Sequence, residues 1–166
     1  MEIRLAFPNE VNAVMKVIED AKKTLAKAGS DQWQNDYPNT DIIVDDIISG
    51  QAYVALEEGE VIAYAAVTRS PESAYDAIFE GKWQGGESEY LVFHRIAVAA
   101  ANQGQKVAQT FLEGLIEGFD YLDFRSDTHA ENKIMQHIFE KLGFQHVGKV
   151  PVDGERLAYQ KVKSNV

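Results

Sequence analysis

His94-Arg95-Ile96-Ala97-Val98-Ala99-Ala100-Ala101-Asn102-Gln103-Gly104-Gln105-Lys106-Val107-Ala108-Gln109 runs from an apolar stretch through small and polar residues into a helical pattern. The apolar part belongs to Ser88–Val98, a run of Tyr, Leu, Val, Phe and Ile that reads as the strongest strand in the chain. The helical part spans Gln103–Phe119, with Val107, Phe111, Leu115, Ile116 and Phe119 on one side. Tyr121–Ser126 follows as another strand. Strand, helix and strand in this order predict a parallel, right-handed crossover. The loop between the first strand and the helix leaves backbone N–H groups and the first helical turn without partners. That is a natural phosphate cradle, favoured by the helix dipole. Lys106 adds a positive charge there. On these grounds alone, an ordinary strand-to-helix turn with no ligand is the slightly favoured alternative.

Upstream, Glu2–Phe7 reads as a strand. Pro8 opens a helix in which Val11, Val14, Met15, Ile18, Ala21 and Leu25 recur as far as Gly29. Gly29–Asn39 is polar and irregular, with Trp33 and Tyr37 embedded. Thr40 or Asp41 is expected to cap a second helix that stops near Gly50. Gln51–Glu57 and Glu60–Arg69 form a hairpin. Residues 70–87 make a long connection. Downstream, Asn132–Leu142 is helical up to Gly143, and Phe144–Lys149 and Glu155–Val162 are late strands joined by a Pro-Val-Asp-Gly turn. The predicted fold is a mixed α/β architecture. A central, twisted, mostly antiparallel sheet of about seven strands holds one parallel crossover, with helices on both faces. No repeat or linker divides the chain, so residues 1–166 are expected to form one domain.

A net charge of −10 argues against nucleic acid as a partner, which would need Lys and Arg to replace phosphate counterions. No stretch has the apolar length to span a membrane. The lack of cysteine excludes thiolate nucleophiles and Cys-bound metals, and with the absence of a signal peptide it suits a cytoplasmic protein. No metal-ligand spacing is present, so no metal is expected. The acid is uneven: residues 1–60 hold 12 Asp/Glu against 5 Lys/Arg, whereas residues 91–149 hold 7 against 6.

Two motifs resemble the GNAT superfamily of acetyl-CoA-dependent N-acetyltransferases. Gln103-Gly104-Gln105-Lys106-Val107-Ala108 fits that family's Arg/Gln-x-x-Gly-x-Gly/Ala at its first and last positions, with Lys106 where the middle Gly falls. Asn132-Lys-Ile-Met-Gln-His-Ile-Phe139-Glu-Lys-Leu-Gly-Phe144 fits Asn-(x)6-Tyr-Glu-Lys-Leu-Gly-Phe, with Phe139 in place of Tyr. The element order resembles the family over nearly the whole chain. The resemblance implies that Gln103, Gly104, Gln105, Lys106, Val107, Ala108 and Gln109 hold the pyrophosphate of coenzyme A. The edge Ile96, Ala97 and Val98 would pair with the pantetheine arm as if it were a strand. Asn132 would bond the pantetheine or orient the loop, Lys141 would lie near the adenosine phosphates or in solvent, and the Val98 N–H would donate to the thioester carbonyl. The implied reaction is direct transfer of an acetyl group to a primary amine of a small molecule or peptide. The runner-up is a catalytically silent acyl-CoA-binding or interaction module. The family often dimerises, so a homodimer is an open expectation.

His94 is the first candidate base, because imidazole titrates near neutrality. A histidine on this strand also resembles the arylalkylamine acetyltransferase branch, where such residues are implicated in deprotonation through water. The alternative is a histidine packed on the other sheet face. Glu89 and Glu57 are further candidate bases. Phe139 cannot donate a proton, which leaves Tyr159, Tyr121, Tyr90 or water as the general acid. Trp33 and Tyr37 lie in the loop that commonly covers the acceptor site in this family, as an aromatic wall or as a buried anchor. Asp127 and His129 read as a structural turn or as an Asp–His pair, and Arg156 is a lesser candidate.

Overall fold

The hairpin, the crossover and the late strands assemble into one seven-stranded sheet, seen in a computed structural model that describes residues 1–85, 89–104 and 106–163. The chain runs β1 (Glu2–Leu5), a 3-10 turn (Pro8–Glu10), α1 (Val11–Lys27), α2 (Thr40–Ile48), β2 (Ala52–Glu57), β3 (Glu60–Arg69) and α3 (Ser73–Asp76). It continues through β4 (Leu91–Val98), a 3-10 turn (Ala100–Asn102), α4 (Val107–Gly118), β5 (Asp123–Thr128), α5 (Lys133–Lys141), β6 (Gln145–Pro151) and β7 (Glu155–Val162). The strand order is β1-β2-β3-β4-β5-β7-β6, and only β4 and β5 are parallel. On one face α1 and α2 bury Val14, Val17, Ile18 and Ile43 against Val54, Tyr64 and Ala97. On the other, α4 and α5 bury Phe111, Leu112 and Phe139 against Leu91, Phe93, Phe124 and Tyr159. The expected mixed fold with helices on both faces is the one observed.

Several boundaries differ from expectation for local reasons. The first strand stops at Leu5, because Pro8–Glu10 is a 3-10 turn rather than the start of α1. Glu10 closes that turn by accepting from the Phe7 N–H (2.7 Å) while Arg4 grips its carboxylate at 2.9 and 3.0 Å. The cap of α2 is Asn39, whose Oδ1 accepts from the Ile42 N–H, not Thr40 or Asp41. The connection 70–87 contains α3. The helix expected from Gln103 begins at Val107, because Gly104 and Lys106 take left-handed φ values of 81° and 63° that a helix cannot include.

Two irregularities of β4 shape the site. Ala97 lies opposite Tyr64 and His94 opposite Ala66, so β4 carries one extra residue, and the bulge is at Arg95, with φ 52°. On its other edge β4 pairs with β5 only from Leu91 to Phe93. Ser126 Oγ donates to the Phe93 carbonyl (2.8 Å) at that last rung, and beyond it the two strands part. Arg95 is held in its strained conformation from the α2 side. Its Nε and Nη2 donate to the two oxygens of Asp46 at 2.9 and 2.7 Å, and its Nη1 donates to the Tyr37 hydroxyl at 2.9 Å. The Tyr64 hydroxyl also donates to Asp46.

Candidate active site

The Ala99 N–H donates to the Ile62 carbonyl (2.8 Å), so the antiparallel alternation turns the N–H and C=O of Val98 away from β3 and into the gap left by β5. Gln103 Nε2 caps the Val98 carbonyl at 2.9 Å, which leaves the Val98 N–H facing the gap. Ile96 follows the bulge on the same edge. The Ala97 side chain is buried among the α1 residues, so only its backbone borders the cleft. At the end of the gap, α4 presents its first turn. Its N-cap Lys106 makes no side-chain cap, and the first N–H bonded within the helix is that of Thr110, to the Lys106 carbonyl (3.0 Å). Among the described residues, the N–H groups of Val107, Ala108 and Gln109 therefore have no acceptor at this positive helix end. A side chain at Gly104 would meet nothing within 4 Å, so the loop is open on that side. A free strand edge leading to a row of amides fits the pantetheine and pyrophosphate of coenzyme A. Gln105 lies outside the described residues.

Side chains brace the loop that forms the cradle. Gln103 accepts from Thr24 Oγ1 of α1 (2.7 Å) while it donates to Val98, so it clamps the loop between α1 and β4. Asp20 accepts from the Ala100 N–H at 2.8 Å. Asn132 caps α5 through Oδ1, which accepts from the Met135 N–H (3.1 Å), and among the described residues its Nδ2 has no partner. Lys106 adopts the left-handed conformation that glycine takes without penalty and that costs another residue about 1–2 kcal/mol. Lys106→Gly is therefore expected to raise the unfolding free energy by about 1 kcal/mol, a rise in Tm of about 2–4 °C. Urea unfolding measures it, and a loss of stability would show that the Lys106 side chain contributes more than its backbone strain costs.

Where the strands part, the opposite sheet face carries the polar groups. Phe93, Ser126 and Tyr159 lie side by side across β4, β5 and β7 and point toward α4 and α5. Their neighbours His94 and Asp127 therefore point the other way. His94 Nε2 lies 3.5 Å from Glu72 Oε2, and this bond holds the Glu72 carboxyl below the usual carboxylate range. Glu72 is fixed in turn by its N–H, which donates to the Tyr90 hydroxyl (3.0 Å). The Tyr75 hydroxyl donates to Asp127 Oδ2 at 2.6 Å. Burial pushes the Asp127 pKa up, opposed by that bond and by the charges of His94 and Arg156.

A raised folded-state pKa means that Asp127 favours the fold while protonated. That contribution is present below the ordinary carboxylate pKa and is lost as pH rises through the folded value. Asp127→Asn keeps an acceptor for Tyr75 and removes the charge. It is expected to raise Tm at pH 7 and leave it nearly unchanged at about pH 3. A fall at pH 7 would contradict this sign.

Other candidates fall elsewhere. Glu89 is exposed ahead of β4, five residues from His94 and so roughly 16 Å along the chain at strand spacing. Glu57 pairs with the chain's amino terminus at 3.5 Å, and Tyr121 accepts from Arg69. Tyr159 packs 5.1 Å from Phe139 on the sheet face opposite His94, so its ring belongs to the core rather than to the histidine's surroundings. Trp33 packs against the α1–α2 cluster and borders a surface hollow with Glu19, Lys22 and Lys23. Tyr37 does reach β4, through Arg95. Asp127 and His129 form no pair: Asp127 binds Tyr75, and His129 lies 3.4 Å from Asp31 of the α1–α2 loop. Glu72, Tyr75 and Asp46 escaped sequence reasoning. Among the described residues no cluster of His, Asp or Glu is placed to hold a metal ion.

A β4 edge opened by a bulge, leading to an amide-lined helix start, suits an acyltransferase that holds an extended, phosphate-bearing donor. The family model for the acetyltransferase (GNAT) domain matches residues 49–146, and the chain belongs to this family. A GNAT-family acetyltransferase from Streptococcus agalactiae is 55% identical, with 99% of this chain and 96% of that one covered and a TM-score of 0.96. Two more distant structures share the fold. The ribosomal-protein-alanine N-acetyltransferase of Brucella melitensis is 18% identical over 98% of this chain and 99% of that one, with a TM-score of 0.70. The PaiA N-acetyltransferase of Thermoplasma acidophilum, in complex with coenzyme A, is 16% identical over 97% and 98%, with a TM-score of 0.69. No curated protein matches the chain.

Proposed function

We propose that this acetyltransferase, a single domain over residues 1–166, moves an acetyl group from acetyl-CoA directly to a primary amine of a small molecule or peptide. The observation that carries the reading is the position of the His94–Glu72 pair at the parting of β4 and β5, with the Val98 N–H facing the gap from the same strand. Bound acetyl-CoA supplies the thioester carbonyl that the amine attacks. His94 takes the proton that the ammonium must lose, directly or through one water, and Glu72 orients the ring. The Val98 N–H steadies the negative charge that develops on the carbonyl oxygen. Phe139 is sealed between Phe144 and Tyr159 and offers no proton, so the departing sulfur takes the one given up by the new amide nitrogen, through solvent.

The reading extends to a cytoplasmic protein, with a homodimer as its assembly. The net charge of −10 supports excluding nucleic acid as a partner, and among the described residues no helix is long and apolar enough to cross a membrane. Release of free thiol from acetyl-CoA across a panel of amines, beside the thermal shift caused by coenzyme A, tests the proposal. Thiol release with at least one amine supports it. Stabilisation by coenzyme A with no release supports the silent binding module instead, and no stabilisation overturns both.

A further inference from the structure

Among the described residues, Arg156 is a buried guanidinium with no strong partner. The residue is 8% exposed, and its Nε is shielded from solvent without an acceptor. Its Nη2 meets only the carbonyl and carboxylate oxygens of Asp153, both at 3.4 Å, beyond the usual hydrogen-bond range. The Asp153 side chain itself is 93% exposed. A buried donor set of this kind is costly unless an anion completes it.

Its place in the sheet says where that anion would sit. Ala158 of β7 lies opposite Asp127 of β5, and residues two apart on a strand share a face. Arg156 is thus the diagonal neighbour of Asp127, about 7–8 Å away along the backbone and on the same side of the sheet as His94. A guanidinium reaches across that spacing. Glu72 lies 3.5 Å from the His94 ring, and the charges of His94, Glu72 and Arg156 all act on Asp127, so these groups gather on one sheet face with the guanidinium under-bonded.

We infer that the acceptor is a primary amine that also carries a carboxylate, a small amino acid or amino-acid-like molecule, with its ammonium between Asp127 and Glu72 and its carboxylate on Arg156. The inference rests on the acetyl-transfer reading and names the substrate class for the same site. It runs against the protein's overall negative charge, which on its own would favour a purely cationic amine such as a polyamine.

The test compares matched pairs in the thiol-release assay: amino acids with the amine α to ε to the carboxylate, each against its own carboxamide. The expected result is a preference for the acids of about tenfold or more in kcat/KM, the scale of a hydrogen bond to a charged group. Arg156→Gln should raise KM for the acids about tenfold more than for the amides, and Arg156→Lys should restore part of the difference. Retention of the coenzyme A thermal shift shows that a variant is folded, and the preference of the unaltered protein decides the matter if neither variant is. Thiol release that is equal for amides, or faster with plain alkyl amines, overturns this inference and leaves the acetyl-transfer reading standing. Release with no amine at all overturns both.

Discussion

Asp46→Ala lowers the unfolding free energy by about 3–5 kcal/mol and Tm by roughly 6–20 °C. The Asp46 side chain is only 5% exposed and takes three donors, two from Arg95 and one from Tyr64. Burial works against the Arg95 charge, but the bond to Asp46 and the neighbouring oxygens outweigh it and hold the guanidinium pKa above its ordinary value. Without Asp46, a charged group and a buried hydroxyl are left uncompensated inside the protein. The backbone at Arg95 also loses what keeps it at φ 52°, so the bulge relaxes and the free edge of β4 shifts. Asp46→Ala should therefore weaken coenzyme A binding although Asp46 lies outside the cofactor cradle. Asp46→Asn, which retains the acceptor oxygen, should fall between. Urea unfolding measures the first effect and calorimetry with coenzyme A the second. A loss below about 1 kcal/mol, the ordinary value of an exposed pair, would mean that the bulge stands without this ion pair.

His94→Ala is expected to reduce kcat by about 10²–10⁴-fold while coenzyme A still binds. In the proposed reading the ring lies on the acceptor side of β4 and the pyrophosphate cradle begins beyond Val98, so the substitution should separate turnover from cofactor affinity. The native pH–rate profile should rise as the base loses its proton, and that limb should be missing in the variant. Glu72→Gln leaves the ring in place but removes the carboxylate that faces it, so a smaller loss is expected. An unchanged profile in His94→Ala would transfer proton removal to bulk water.

The parts of the fold that were legible in the sequence are those set by local pattern. Apolar periodicity placed the strands and helices, and their order required the parallel pair of β4 and β5. The small-residue loop before Val107 announced free amides. What stayed hidden depends on contacts between distant segments. Nothing about an arginine at position 95 signals a left-handed bulge residue, since Asp46, Tyr37 and Tyr64, from three separate segments, impose that conformation. Glu72 fell in a connection without periodicity, and it comes beside His94 because the Ser70 N–H donates to the Tyr90 carbonyl and folds the segment back along β4. Tyr159 looked equivalent to other tyrosines until the register of β7 assigned it a face.

The histidine, the bulge arginine and the amide donor at 94, 95 and 98 all come from one continuous strand. In the mechanism we propose, the proton acceptor and the oxyanion donor sit on one strand either side of the Arg95 bulge, so their alignment depends on the Asp46 contact that holds that bulge. For protein engineering this divides the chain sharply. A single insertion or deletion between 94 and 98 would exchange the two faces of the strand and disconnect the machinery. The segments that supply Glu72 and Arg156 can be rebuilt to accept other amines while that strand is left alone.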